Sequence, residues 1–174
     1  MIDREKLDKI IRTDAGNNWW KPALFIINTL PNLPQELEIL ANPPPEEENY
    51  NCFIYTLDLY QDQALLKETK GFIYDTFFQK LIDLGEVQIT LTPVDGDYIL
   101  YKDIKNHPNV ITHIGTLQAG KVISKWAWGP LIKHAIWDVP SSYGNDVLYV
   151  KALTQSQAKE LYNKYKEFNI LSTD

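Results

Sequence analysis

The sequence predicts an α+β fold, in which short helices are followed by an antiparallel meander and a closing helix. Three observations carry this. Between Tyr98 and Val150 lie several β-rich runs separated by Gly, Pro or Asn. Upstream of them, Phe72 to Leu84 has helical spacing and stops at Gly85. Downstream, Thr154 and Gln157 form a capping-box pair, after which Ala158, Leu161, Tyr162 and Tyr165 recur at helical intervals.

In order along the chain, Ile2 to Ile11 is predicted as a short amphipathic helix with Leu7, Ile10 and Ile11 on one side. A turn at Gly16-Asn17-Asn18 leads into an apolar patch of Trp19, Trp20, Leu24, Phe25 and Ile26, whose tryptophans are expected to pack this extension onto the body. Pro34 suits the first turn of a helix running to about Leu40. The acidic run NPPPEEEN, from Asn42 to Asn49, cannot be helix interior or central strand and reads as a stiff linker. The chain therefore divides into an N-terminal extension with linker, 1–49, and a main domain, 50–174.

At the start of that domain Asn51 is a good N-cap, with Cys52 as the first helical residue. Phe53 to Tyr60 also has strand character; helix is the reading taken. Strands are expected at Tyr98–Tyr101, Asn109–Leu117, Lys121–Trp126, Leu131–Trp137 and Val147–Val150.

Composition limits the function. The 174 residues, 44% hydrophobic, suffice for a core without disulfides, and a single cysteine excludes an internal disulfide and any paired-cysteine zinc motif. With three histidines and that one cysteine, neither a metal site nor a cofactor is expected. A net charge of −6 argues against nucleic acid as a partner. No stretch approaches membrane-spanning length, and the N-terminus lacks the apolar core of a signal peptide. With a lone thiol, this points to the cytoplasm.

Two residues stand out chemically. A thiol at a helix start faces unpaired N–H groups, which favour the nucleophilic thiolate, although a lone cysteine in an apolar run is commonly a small buried hydrophobe. His113 lies on the run VITHIGTL, where strand period puts Ile111, His113, Gly115 and Leu117 on one face. It is either a base for the thiol or a histidine satisfied within the sheet.

The run from Thr92 to Leu117, with Gly96-Asp97 opening one strand and His113-Ile114-Gly115 on the next, resembles the signature of NlpC-like peptidases and amidases. Tyr50-Asn51-Cys52-Phe53 resembles the start of that family's nucleophile helix, with Asn where Asp often stands. The resemblance covers Tyr50 to about Trp137. Ser124-Lys125-Trp126, His134 and Tyr143-Gly144 further resemble a tail seen in small bacterial proteins of this type.

The resemblance implies a papain-like core, its nucleophile helix packed on an antiparallel sheet or half-barrel, acting on a peptide, amide or ester through Cys52 and His113. The family's polar orienter usually lies on the strand after the histidine, which here offers only Ser124 or Lys125. A three-residue hairpin loop sets Lys125 opposite His113, whereas a two-residue loop, Ala119-Gly120, puts Trp126 there and Ser124 near Gly115. Lys125 is a poor orienter and suits a substrate contact, with Ser124 and Trp126 beside it. His134 is the better third member on chemistry, because a neutral imidazole accepts the N–H of His113. The alternative is a catalytically idle module that keeps the fold and presents its tryptophans to a partner.

Overall fold

A computed structural model describes residues 2–11 and 19–171; the turn expected at Gly16-Asn17-Asn18 lies outside them. The fold is α+β, built on one antiparallel six-stranded sheet of order β1-β5-β4-β3-β2-β6. The strands are β1 (Glu38–Ala41), β2 (Tyr98–Asp103), β3 (His107–Gln118), β4 (Lys121–Lys125), β5 (Leu131–His134) and β6 (Asp146–Val150). The helices are α1 (Arg4–Ile11), α2 (Pro22–Leu24), α3 (Cys52–Thr56), α4 (Gln63–Thr69), α5 (Asp75–Asp83) and α6 (Gln155–Tyr165). Among the described residues, no helix is long and apolar enough to cross a membrane.

Both faces of the sheet are covered. In β2, Tyr98 and Leu100 join a core with Phe53, Ile54, Phe77, Phe78 and Tyr162 from the helices. Ile99 and Tyr101 point the other way, into a second core with Leu7, Trp19, Phe25, Val122, Trp126 and Ile132. A strand buried on both sides has no reason to alternate apolar with polar residues, which is why Tyr-Ile-Leu-Tyr reads as a continuous apolar run.

The N-terminal segment supplies most of the second core's cover. Trp19 is wedged against Gly129, where an added Cβ would lie 1.9 Å from its ring. The helix expected from Pro34 to Leu40 is instead strand β1, paired with β5 through Glu38↔Lys133 and Ile39↔Ile132. Helix-forming residues there are overridden by an open sheet edge that needs a partner.

The β3–β4 hairpin has the two-residue loop. Gln118 pairs with Lys121, and Ala119 and Gly120 both have positive φ, 51° and 73°, as a tight primed turn requires. This register brings Ser124 beside Gly115, where a Cβ would lie 2.9 Å from that of Ser124. Between β2 and β3 the pairing slips by one: Tyr101 faces His113 but Lys102 faces Ile111, leaving Thr112 as a bulge. The slip separates Ile111 from His113. Ile111 packs in the helix-side core, while His113 shares the opposite face with Tyr101, so the single face expected for Ile111, His113, Gly115 and Leu117 is broken at its first member.

Candidate functional site

Asn51 caps α3 as expected. Its side-chain oxygen accepts from the Ile54 N–H at 3.3 Å, and its amide donates to the Ile73 carbonyl at 2.7 Å, tying the helix start to the loop before α5. The helix runs for only five residues, so its dipole is small, and the N–H groups of its first turn matter more. It begins where β3 and β4 part. The N–H and carbonyl of Leu117 bond toward the β2 side, to Asp97 and Gly96, so by alternation the Ile114 N–H faces the β4 side. Paired contact with β4 has ended at Thr116↔Ile123. The Cys52 sulfur fills that gap and receives the Ile114 N–H.

Cys52 and His113 line one cleft of about 210 Å³, together with Asn51, Phe72, Tyr74, Thr112, Ala127 and Tyr143. Burial pushes the thiol up to about 11, while the N–H groups of Ile114, Phe53 and Cys52 and the ammonium of Lys125 draw it down. His113 is held well below the usual histidine range, chiefly by burial and secondarily by His134, so its ring is neutral at pH 7. Its Nε2 is buried without a hydrogen-bond partner. No hydrogen bond joins the thiol to the ring. The imidazole is fixed by stacking: Tyr143 lies parallel to it, with centroids 4.0 Å apart and planes 16° apart.

The N-terminal extension places that tyrosine. Arg4 of α1 donates to the carbonyls of Val139, Pro140 and Gly144 at 2.9, 3.0 and 2.6 Å. Asp8 accepts from Ser141 and from the Ser142 N–H. From the other side the Thr112 hydroxyl bonds the Tyr143 carbonyl at 2.5 Å.

The remaining residues singled out in the sequence fall elsewhere. His134 Nδ1–H donates to the Ala135 carbonyl at 2.8 Å, and its Nε2 accepts from the Ser124 hydroxyl at 2.9 Å. Both nitrogens are thereby occupied, and His134 does not orient His113 in the way its chemistry suggested. Ser124 and Trp126 are fully buried and do not line the cleft. Lys125 is also buried; its ammonium donates to the Gly129 carbonyl at 2.7 Å and sits 5.1 Å from the centre of the Tyr50 ring. Burial lowers it to about 7, against the pull of Cys52.

Phe72, Tyr74 and Tyr143 carry no reactive group and gave no chemical signal in the sequence. Tyr143 was marked only by the resemblance of its Tyr-Gly tail, and Phe72 and Tyr74 only by the aromatic content of their segment. Among the described residues, no group of three or more His, Cys, Asp or Glu could hold a metal ion.

The buried histidines make a measurable demand on acid stability. His134 is pushed down to about 4 by burial, so below its unfolded value near 6.5 protons favour the unfolded chain. Stability is expected to fall as the pH drops through that window, with His134 contributing about 3 kcal/mol at pH 4. Urea midpoints at pH 7 and pH 4.5 measure this, and His134→Gln should reduce the difference, leaving the part that His113 contributes.

The site thus defines an α+β protein with a buried thiol and a neutral imidazole on one cleft between a short helix and the parting of two strands. Residues 43–151, more than half the chain, match the family described as a domain of unknown function, DUF7689, and the chain belongs to that family. No curated protein and no solved structure matches the chain.

Proposed function

We propose that the protein is a cysteine-dependent acyl-transfer enzyme of the NlpC-like, papain-like kind, acting on a peptide, amide or ester substrate, with Cys52 as nucleophile and His113 as base. The observation that carries this reading is the common cleft, on which the start of α3 presents the thiol and β3 the imidazole. Because the thiol is raised and the ring is neutral, they meet uncharged rather than as a resting ion pair. His113 takes the thiol proton as sulfur attacks the carbonyl carbon, and then gives it to the departing amine or alcohol. The resulting thioester is attacked by water, whose proton passes to His113; the acid leaves and the proton returns to sulfur. The N–H groups of Cys52 and Phe53, which face the sulfur, are suitably placed for the oxyanion. Thiol and imidazole come within hydrogen-bond reach on substrate binding, as is common for sites that are loose when free.

The net charge of −6 and the single thiol suit a cytoplasmic protein that does not bind nucleic acid. Hydrolysis of a panel of small acyl esters and amides is expected for the native chain and lost in Cys52→Ala. Full activity in the alanine variant ends the assignment.

The raised thiol favours a second reading, in which the fold survives as an idle binding module. Iodoacetamide labelling against pH separates the two. In the module Cys52 stays slow below pH 9 whether or not substrate is present, whereas in the enzyme a substrate analogue changes its labelling rate.

A further inference from the structure

Beside the cleft lies a second depression of about 300 Å³, lined by Trp19, Trp20, Phe72, Ala127 and Trp128. It contains no charged residue. Phe72 and Ala127 line both hollows, so the two adjoin across a shared wall. The aromatic walls are braced from behind. Trp19 rests on Gly129, the Trp128 carbonyl accepts from Asn49 at 2.7 Å, and the Phe72 ring meets that of Trp128 at 5.5 Å. Ala127, at φ +47°, turns the chain between them.

Concave, apolar, preformed surface adjoining a reactive group is where a substrate's non-reacting part gains its binding energy. The cleft carries Asn51, Asp75 and Thr112 among its lining residues, whereas the depression is walled by tryptophan, phenylalanine and alanine alone and so suits hydrocarbon. We infer that the aromatic depression seats a bulky apolar group, an aromatic ring or branched alkyl, attached next to the scissile carbonyl. The substrate class is accordingly an amide or ester with a large apolar substituent, not a small or charged acyl compound. This rests on Cys52 being the reacting atom. The pocket itself is tested without the thiol.

The experiment titrates full-length Cys52→Ala protein with N-benzylacetamide and with acetamide by calorimetry. The benzyl compound is expected to bind at least tenfold more tightly, and that preference should vanish when Trp128→Ala is added. Should the Trp128 variant fail to fold, Trp20→Ala, also at a half-buried wall position, takes its place. Equal binding of the two amides, or an undiminished preference in the tryptophan variants, overturns the inference. Inert Cys52 chemistry with the preference intact overturns only the hydrolytic reading.

Discussion

Replacing Lys125 by methionine is expected to make the protein more stable at pH 7 while slowing every reaction of Cys52. Lys125 titrates near 7 in the folded chain, because burial disfavours its charge, but at the ordinary value of 10.5 when unfolded. Folding at pH 7 therefore has to discharge or desolvate an ammonium that the unfolded chain keeps in water, a cost of roughly 4 kcal/mol. Methionine fills similar space without a charge. It leaves the Gly129 carbonyl without its donor, a loss of about 1 kcal/mol, so the net gain is about 3 kcal/mol.

The pH signature is specific. Since the folded value lies below the unfolded one, native stability should climb from pH 7 toward 10, and that climb should be much reduced in the methionine variant. Denaturant midpoints across this range measure both effects. Iodoacetamide labelling measures the other half: without the cation drawing the thiol downward, Cys52 should react more slowly at any pH below its own titration. A buried cation that costs stability but eases ionisation of a thiol is the usual trade between stability and activity. A variant that is less stable and equally reactive would show that Lys125 is only a strut for the Gly129 turn.

Gly144→Ala is expected to destabilise the protein by about 4 kcal/mol. Gly144 sits at φ 100° and ψ −170°, a conformation open essentially to glycine alone. A Cβ there would lie 2.2 Å from the Lys102 carbonyl oxygen and 2.6 Å from the Asp103 nitrogen, both backbone atoms that cannot swing aside. The preceding residue, Tyr143, carries the ring stacked on His113, so any relief of the clash moves the base as well. Thermal melting should show the lost stability. Residual activity should fall further than the folded fraction does, which a purely global effect would not produce.

Much of the sheet was legible because it depends on local signals. Glycine and proline punctuation located five strands to within a few residues, and the capping box of Thr154 and Gln157 set the start of α6. Helix α4 was not assigned, although its start is marked by Asp62, whose carboxylate accepts from the Leu65 N–H at 3.0 Å. Features that depend on partners distant in sequence were less legible. Strand β1 exists because β5 needs a neighbour, the Thr112 bulge left no mark in the residue pattern, and the Ser124–His134 bond depends on the register between β4 and β5. At the site, Cys52 and His113 were singled out from a helix start, a strand and a family resemblance, and both line one cleft. The wall of Phe72, Tyr74 and Tyr143 required the whole tertiary arrangement.

The reach of the N-terminal segment sets how small the protein can be made. A fragment cut to residues 43–151 would keep thiol and imidazole yet lose β1, α1, Trp19 and α6. Its outer strand, β5, would then offer unpaired amides to any passing chain, and Val122, Trp126 and Ile132 would be laid open to water. The smallest piece able to fold cleanly is therefore larger than the piece by which kinship is recognised.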